Sequence, residues 1–325
     1  RRCGDGIVDP ATGETCDGGE GCDPARCRFG TQLCVTAQDA TEQCWLDIPT
    51  LAHAFREQAP PVNGSSRSNP YFLDVTLGCS ATITPSSNLV TICGVQIPAD
   101  LSAANAAVLT MRSLNLTSLA NINFTGTRKV IFAVYGDVNI AAGARLRADA
   151  VGGVNGAGEL GCQANRGDSD DAGGGGGSHG TLGGVGGTGN DRPRGLPNPV
   201  SAIDPFVELR RGCRGRAADS RANEGGAGGA LPVSAGGAVT VNGVLSANGG
   251  GAPRITGSSH GGSGGGSGGD LFVQAAAFLF GPVGAVVAQG GGGSAAFGGA
   301  AGADGSPNAA LQAPGGIGGG TGHAG

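Results

Sequence analysis

The sequence predicts an all-β protein: a parallel β-helix, or β-solenoid, with ordered polyglycine-II-like glycine-rich loops and a small disulfide-rich N-terminal module. Three observations predict it. Residues 71–150 alternate apolar and small polar residues in short runs rich in Val, Ile, Leu and Thr. A strand–break–strand motif then recurs three times, each copy closing on x-[LV]-x-A before a burst of glycine. Finally, the chain holds ten cysteines with neither zinc-finger nor haem spacing.

The N-terminal module spans residues 1–30, CGDGIVDPATGETCDGGEGCDPARC, and is nearly devoid of apolar side chains. A segment so short and polar cannot form a core, so covalent bridges must hold it together, with or without a cation. Asp5, Asp9, Glu14, Asp17 and Asp23 are hard oxygen donors in this loop and form a candidate Ca²⁺ site. The DxDxDG calcium pattern is absent, and the alternative is a set of solvated turns in which Asp is favoured for its local hydrogen bonding. Residues 31–70 connect this module to the rest. Asp47 is placed to N-cap a short helix over 48–58, ended by Pro60-Pro61, and NGSSRSNP follows as a loop.

The β region is expected from 71 to 325. FLDVTLGCSATITP, NLVTICGVQIP, AVLTMRSLNL, ANINFTG and KVIFAVYGDVNI read as successive strands. Most of the 68 glycines lie beyond residue 150, in insertions at 152–190, 249–269 and 290–325. Collagen is excluded, because no Gly-X-Y period is sustained. Composition alone would make this region a flexible linker, but strand motifs interrupt it. They end at Ala148, Ala247 and Ala288, and each has the form of KVIFAVYGDVNIAAGARLRADA. Such a unit cannot bury its apolar face alone; stacking on the next one supplies the cover. Insertions at the same point of successive coils emerge on one side, where glycine backbones can approach closely enough to bond.

Cys3, Cys16, Cys22, Cys27, Cys34, Cys44, Cys79, Cys93, Cys162 and Cys213 are even in number and read as disulfides in an oxidising compartment. Cys79 and Cys93 fall on neighbouring strands, and Cys162 and Cys213 flank the longest insertion, so each pair is a candidate bridge. The net charge is −5 and no basic patch is interleaved with aromatics, which argues against a nucleic-acid partner. No apolar run reaches the length of a membrane span. The numbering starts without Met, and the expectation is a mature chain freed of an export signal.

Two stretches carry a resemblance. Cys3-Gly4-Asp5-Gly6-Ile7-Val8-Asp9 and Gly13-Glu14-Thr15-Cys16-Asp17-Gly18 resemble the cysteine-rich repeat of myxobacterial secreted proteins, with the usual longer tail shortened to CDGGEGC. GDVNIAAGARLRADAVGG, ELRRGC, AVTVNGVLSANGGG and GGSGGGSGGDLFVQA, in that order, are similar to glycine-rich, repeat-bearing secreted or surface proteins of myxobacteria and relatives. The resemblance implies location and architecture: a bacterial protein, secreted or on the outer cell surface.

Catalytic signals are sparse. The strand repeats hold almost no Asp or Glu, Lys129 is the single lysine, and neither GxSxG nor HExxH occurs. No enzyme is expected. Weaker candidate sites are Asp168-Ser169-Asp170-Asp171, more simply a solvated loop tip, and His179, His260 and His323, more simply polar spacers. Sequons at Asn63, Asn115 and Asn123 read as chance occurrences. The function expected is that of an extracellular or surface structural protein, a self-assembling filament or surface-layer subunit, whose partners are copies of itself or other surface proteins. The alternative is an adhesin using Arg192, Arg194, Arg210, Arg211, Arg214, Arg216 and Arg221 against anionic polysaccharide; a polysaccharide lyase or hydrolase comes third.

Overall fold

A computed structural model describes residues 73–101, 105–134, 136–159, 162, 164, 172–187, 195–200, 209–217, 224–254, 261–296, 299–308 and 310–315. It also gives the backbone of four short strands nearer the N-terminus: β1 (Cys22–Asp23) and β2 (Arg28–Phe29), and β3 (Leu33–Thr36) and β4 (Glu42–Trp45). Each of these two pairs is antiparallel, and β3 sets Cys34 directly opposite Cys44 on β4. The helix expected over 48–58 lies outside the described residues. Among the described residues no helix is long and apolar enough to cross a membrane.

Sixteen further strands follow: β5 (Asp74–Leu77), β6 (Ser80–Ile83), β7 (Leu89–Ile92), β8 (Val95–Asp100), β9 (Ala106–Met111), β10 (Ser113–Leu116), β11 (Asn121–Phe124), β12 (Lys129–Val134), β13 (Val138–Ile140), β14 (Arg145–Arg147), β15 (Ala230–Ala235), β16 (Ala238–Val241), β17 (Val244–Ser246), β18 (Asp270–Gln274), β19 (Ala277–Phe280) and β20 (Ala285–Val287). They form three sheets, ordered β5-β10-β13-β16-β19, β6-β11-β14-β17-β20 and β7-β8-β9-β12-β15-β18. From β9 onward the chain visits the sheets in rotation, and every strand pairs in parallel with the strand three elements later. The protein is thus all-β with parallel sheets, an order compatible with a β-helix.

In-register stacking explains why such short strands persist. Val75, Leu114, Val138, Val239 and Phe278 occupy one column, and Leu77, Leu116, Ile140, Val241 and Phe280 the next. Ala81, Ile122, Leu146, Leu245 and Val286 form a third column, and Leu109, Phe132, Val233 and Val273 a fourth. Apart from Phe278, Phe280 and Val286 at the far end, these residues belong to, or pack against, one continuous apolar core, where stacking recovers the hydrophobic free energy that unstacked strands would leave in water. Phe124 and Phe132 meet edge to face within it, with ring centroids 5.6 Å apart.

The only antiparallel departure in the three sheets is the β7–β8 hairpin on the edge of β9. Its two-residue turn, Cys93-Gly94, has φ of 54° and 80°, the left-handed pair that matches the twist of a tight hairpin. Cys93 is bonded to Cys79 across a Cα separation of 5.6 Å. β8 packs against β5, and Val90, Ile92 and Ile97 share the core with Val75 and Leu77, which are fully buried. The hairpin therefore shields the first turn of the stack.

The three interruptions fall at one point of the repeat, after a strand of the second sheet and before a strand of the third. The first runs from 148 to 229, well beyond the glycine tract at 152–190; the second is 247–269; the third follows β20. Ala148, Ala247 and Ala288 occupy equivalent places two residues past the stacked Leu146, Leu245 and Val286.

Candidate functional site

Three features stand out: a polar ladder at the root of the interruptions, a main-chain network among the glycine tracts, and an uncovered apolar rung at one end.

The ladder climbs from one set of stacked strands to the next. The Asp149 amide donates to Asn123 Oδ1 at 2.9 Å, the Asn248 amide to Asp149 Oδ1 at 2.6 Å, and the Gln289 amide to Asn248 Oδ1 at 2.8 Å. Each side chain satisfies a backbone donor where the chain leaves the sheet ladder. Asp149 also accepts from Ser246 Oγ at 2.9 Å and lies 3.5 Å from the Arg147 guanidinium. Burial pushes its carboxyl above the ordinary 3.8, and the Asn248, Ser246 and Arg147 contacts offset part of that rise. At the last rung Gln289 Oε1 is buried without a hydrogen-bond partner.

The glycine network has a regular bonding period. Within 262–269, the amides of Gly264 and Ser267 donate to the carbonyls of Arg216 and Cys213, and those of Gly266 and Gly269 to Gly250 and Ala247. In return, the carbonyls of Gly264 and Ser267 accept from Gly225 and Gly228, and those of Gly262 and Gly265 from Gly174 and Gly177. The Gly266 carbonyl accepts from Gly291. Every repeated neighbour is met at intervals of three residues. A Cβ built at Gly264, Gly266 or Gly269 would overlap the carbonyls of Gly175, Gly226 or Gly229, so no larger residue fits. Side chains fasten the tracts at a few points: Asp304 Oδ1 accepts from the amides of Gly152 and Gly251, both at 2.8 Å, and Asn155 Oδ1 accepts from Ala227. Cys162 and Cys213 are bonded, with Cα atoms 4.6 Å apart, closing a loop of sequence separation 51.

His179, singled out in the sequence, is buried at the end of one tract. Its Nε2 lies 2.7 Å from Asp270 Oδ1 at the start of β18, and Asp270 Oδ2 accepts from the Arg210 amide at 2.9 Å. The pair borders a groove of about 940 Å³ walled largely by glycine main chain from 176–184, 265–269 and 290–291. Ser178 and Ser267 are also buried, and their hydroxyls accept from the amides of Gly183 and Cys213. The arrangement ties the first interruption to β18. His260 and His323 lie outside the described residues, so an imidazole row is not on view.

Asp5, Asp9, Glu14 and Asp17 likewise lie outside the described residues, as do Asp168, Asp170, Asp171, Arg192, Arg194 and Arg221. Asp23 falls in β1, opposite Arg28. Among the described residues no group of three His, Cys, Asp or Glu side chains could hold a metal ion. Arg214 pairs with Glu224 at 3.3 Å, while Arg211 is buried with its Nε unpartnered, and burial followed by the nearby Arg214 charge lowers its pKa to about 10. Asn123 is 3% exposed and committed to the ladder, and the Asn115 side chain accepts from Asn139. Nothing in the sequence analysis pointed to Asp149, Asn248, Gln289 or Asp304. The one available signal was the common position of Asp149 and Asn248, each one residue beyond a motif alanine.

At the far end, Phe278 and Phe280 are 44% and 55% exposed, whereas Val239 and Val241, one rung inward in the same columns, are fully buried. The two rings contact each other edge to face at 4.8 Å. Val283 and Val286 are exposed beside them.

No family model, curated protein or solved structure matches this chain.

Proposed function

We propose that this chain is a non-catalytic structural subunit of an extracellular or outer-surface bacterial assembly, a fibre or layer component, built as a β-solenoid flanked by a polyglycine-II-like sheaf. The observation that carries this reading is the three-residue bonding period. A left-handed extended helix with three residues per turn directs successive amides towards different neighbours. Glycine alone allows neighbours to pack that closely from several sides. Fixing a backbone costs roughly 1–2 kcal/mol per residue, and a lattice bonded in several directions offsets that cost where a single loop could not. A sheaf of this kind stiffens one flank of the stack and holds its shape without a ligand. The disulfides fit an oxidising compartment, and the hydroxyls beside the His179–Asp270 pair are engaged by main chain, which supports a non-catalytic role.

Electron microscopy of the cell surface, with antibody to the purified chain, tests this reading. Labelled fibres or a continuous layer are expected; a signal confined to the cytoplasm would refute it. The adhesin reading draws on Arg210, Arg211, Arg214 and Arg216, but Arg211 is buried and Arg214 is already paired with Glu224. A glycan array with wild type and an Arg210→Ser/Arg216→Ser variant discriminates the two: selective, arginine-dependent binding to anionic glycans would favour the adhesin.

A further inference from the structure

We propose that the uncovered rung formed by β18, β19 and β20 docks against the same rung of a second copy of this chain, so that two molecules join through like ends. The proposal rests on the structural-subunit reading and specifies its contact. The two ends of the stack differ. At the first turn the inward residues Val75 and Leu77 are fully buried beneath the β7–β8 hairpin, which the Cys79–Cys93 disulfide fastens. At the last turn the corresponding residues, Phe278 and Phe280, remain about half exposed, with Leu279, Val283 and Val286 around them. A head-to-tail stack would have to bury this patch against an end that is already shielded.

The last rung also lacks the features that keep a sheet edge solitary. Native edges are blunted by charge, proline within the strand or a covering element. Residues 271–303 contain no Asp, Glu, Lys or Arg, and the one proline there, Pro282, sits in the turn between β19 and β20. Neutrality removes the like-charge repulsion that would oppose contact between identical faces, and it offers nothing to select a charged partner. A two-fold axis across the end places β19 antiparallel to its counterpart. The outer edge of β19, which pairs with no further strand of its sheet, then faces its own copy, and each patch of Phe278, Phe280, Val283 and Val286 meets its counterpart. Such a contact is closed; growth into a fibre or layer needs a second surface elsewhere on the molecule.

The full chain should have the mass of two copies by light scattering after size exclusion. Phe280→Asp should weaken association on the order of a hundredfold, as loss of a central aromatic anchor does, with the β circular dichroism retained. Val283→Asp, on a turn outside the core columns, is a second disruptor should Phe280→Asp fail to fold. Leu279→Cys and Val283→Cys, oxidised separately, should give covalent dimers and nothing larger. A ladder of higher cross-linked species would overturn the like-end contact while leaving assembly intact. A one-chain mass at every concentration would overturn the contact and the assembly reading together.

Discussion

Asp149 shows how a single residue can be costly by charge and valuable by shape. Its carboxylate is the middle rung of the Asn123–Asp149–Asn248–Gln289 ladder, yet burial raises its pKa. A raised carboxyl pKa means that the folded state binds the proton more tightly than the unfolded state. This residue's contribution to stability therefore falls as pH rises from about the ordinary 3.8 through the raised value, and is lowest at neutral pH. Asp149→Asn retains an acceptor for the Asn248 amide and removes the charge, so at pH 7 its melting temperature should equal or exceed wild type. It should also lack this pH-dependent loss. Asp149→Ala leaves the Asn248 amide and Ser246 hydroxyl without their acceptor and should cost about 1–3 kcal/mol. Thermal melts between pH 4 and 8 test both. Beyond the shared position of Asp149 and Asn248 after a motif alanine, the ladder could not be read from the sequence, because its members lie 26, 99 and 41 residues apart and meet only through stacking.

At the scale of elements, glycine positions separate into two kinds. Within the hydrogen-bonded tracts, Gly264 faces the Gly175 carbonyl where a Cβ would stand, whereas Gly180 and Gly184 have nothing within 4 Å. Gly264→Ala should therefore lose about 1–3 kcal/mol through forced separation of packed backbones, while Gly180→Ala and Gly184→Ala should stay within about 0.5 kcal/mol of wild type. Urea melts of the three variants test the contrast; equal effects would mean that the tracts are not packed. The bridges scale with the loops they close. By loop entropy, removing Cys162–Cys213, of separation 51, should cost about 4 kcal/mol, and removing Cys79–Cys93, of separation 14, about 3 kcal/mol. Double Cys→Ser variants check that order. The strands and the Cys79–Cys93 bridge were readable from alternation and placement, because a period of two and a pair of neighbouring strands are local properties; Cys162–Cys213 was a candidate only through its position about the longest insertion. The β7–β8 hairpin was not separated from the parallel strands, because its apolar pattern matches theirs and only Cys93-Gly94 hints at the turn. The β3–β4 pair within the connecting segment was also missed, since LCVT and EQCW are too short to stand out from their surroundings.

For the whole molecule, the three interruptions each follow a strand of the second sheet, and main-chain hydrogen bonds join them to one another. What the sequence could not convey is polarity: one end shielded by a hairpin, the other ending on Phe278 and Phe280. That difference depends on which strands are last, not on any motif. The central claim is that the glycine tracts belong to the folded structure through main-chain bonds made every third residue. Amide hydrogen exchange on the full chain tests it most directly, by comparing 173–177, 225–229 and 262–269 with strands β12 and β15. The account predicts that amides of Gly174, Gly177, Gly225, Gly228, Gly264, Gly266 and Gly269 exchange as slowly as the strand amides. Exchange of those glycines at the rate of an unstructured peptide, with the strands still protected, would contradict it.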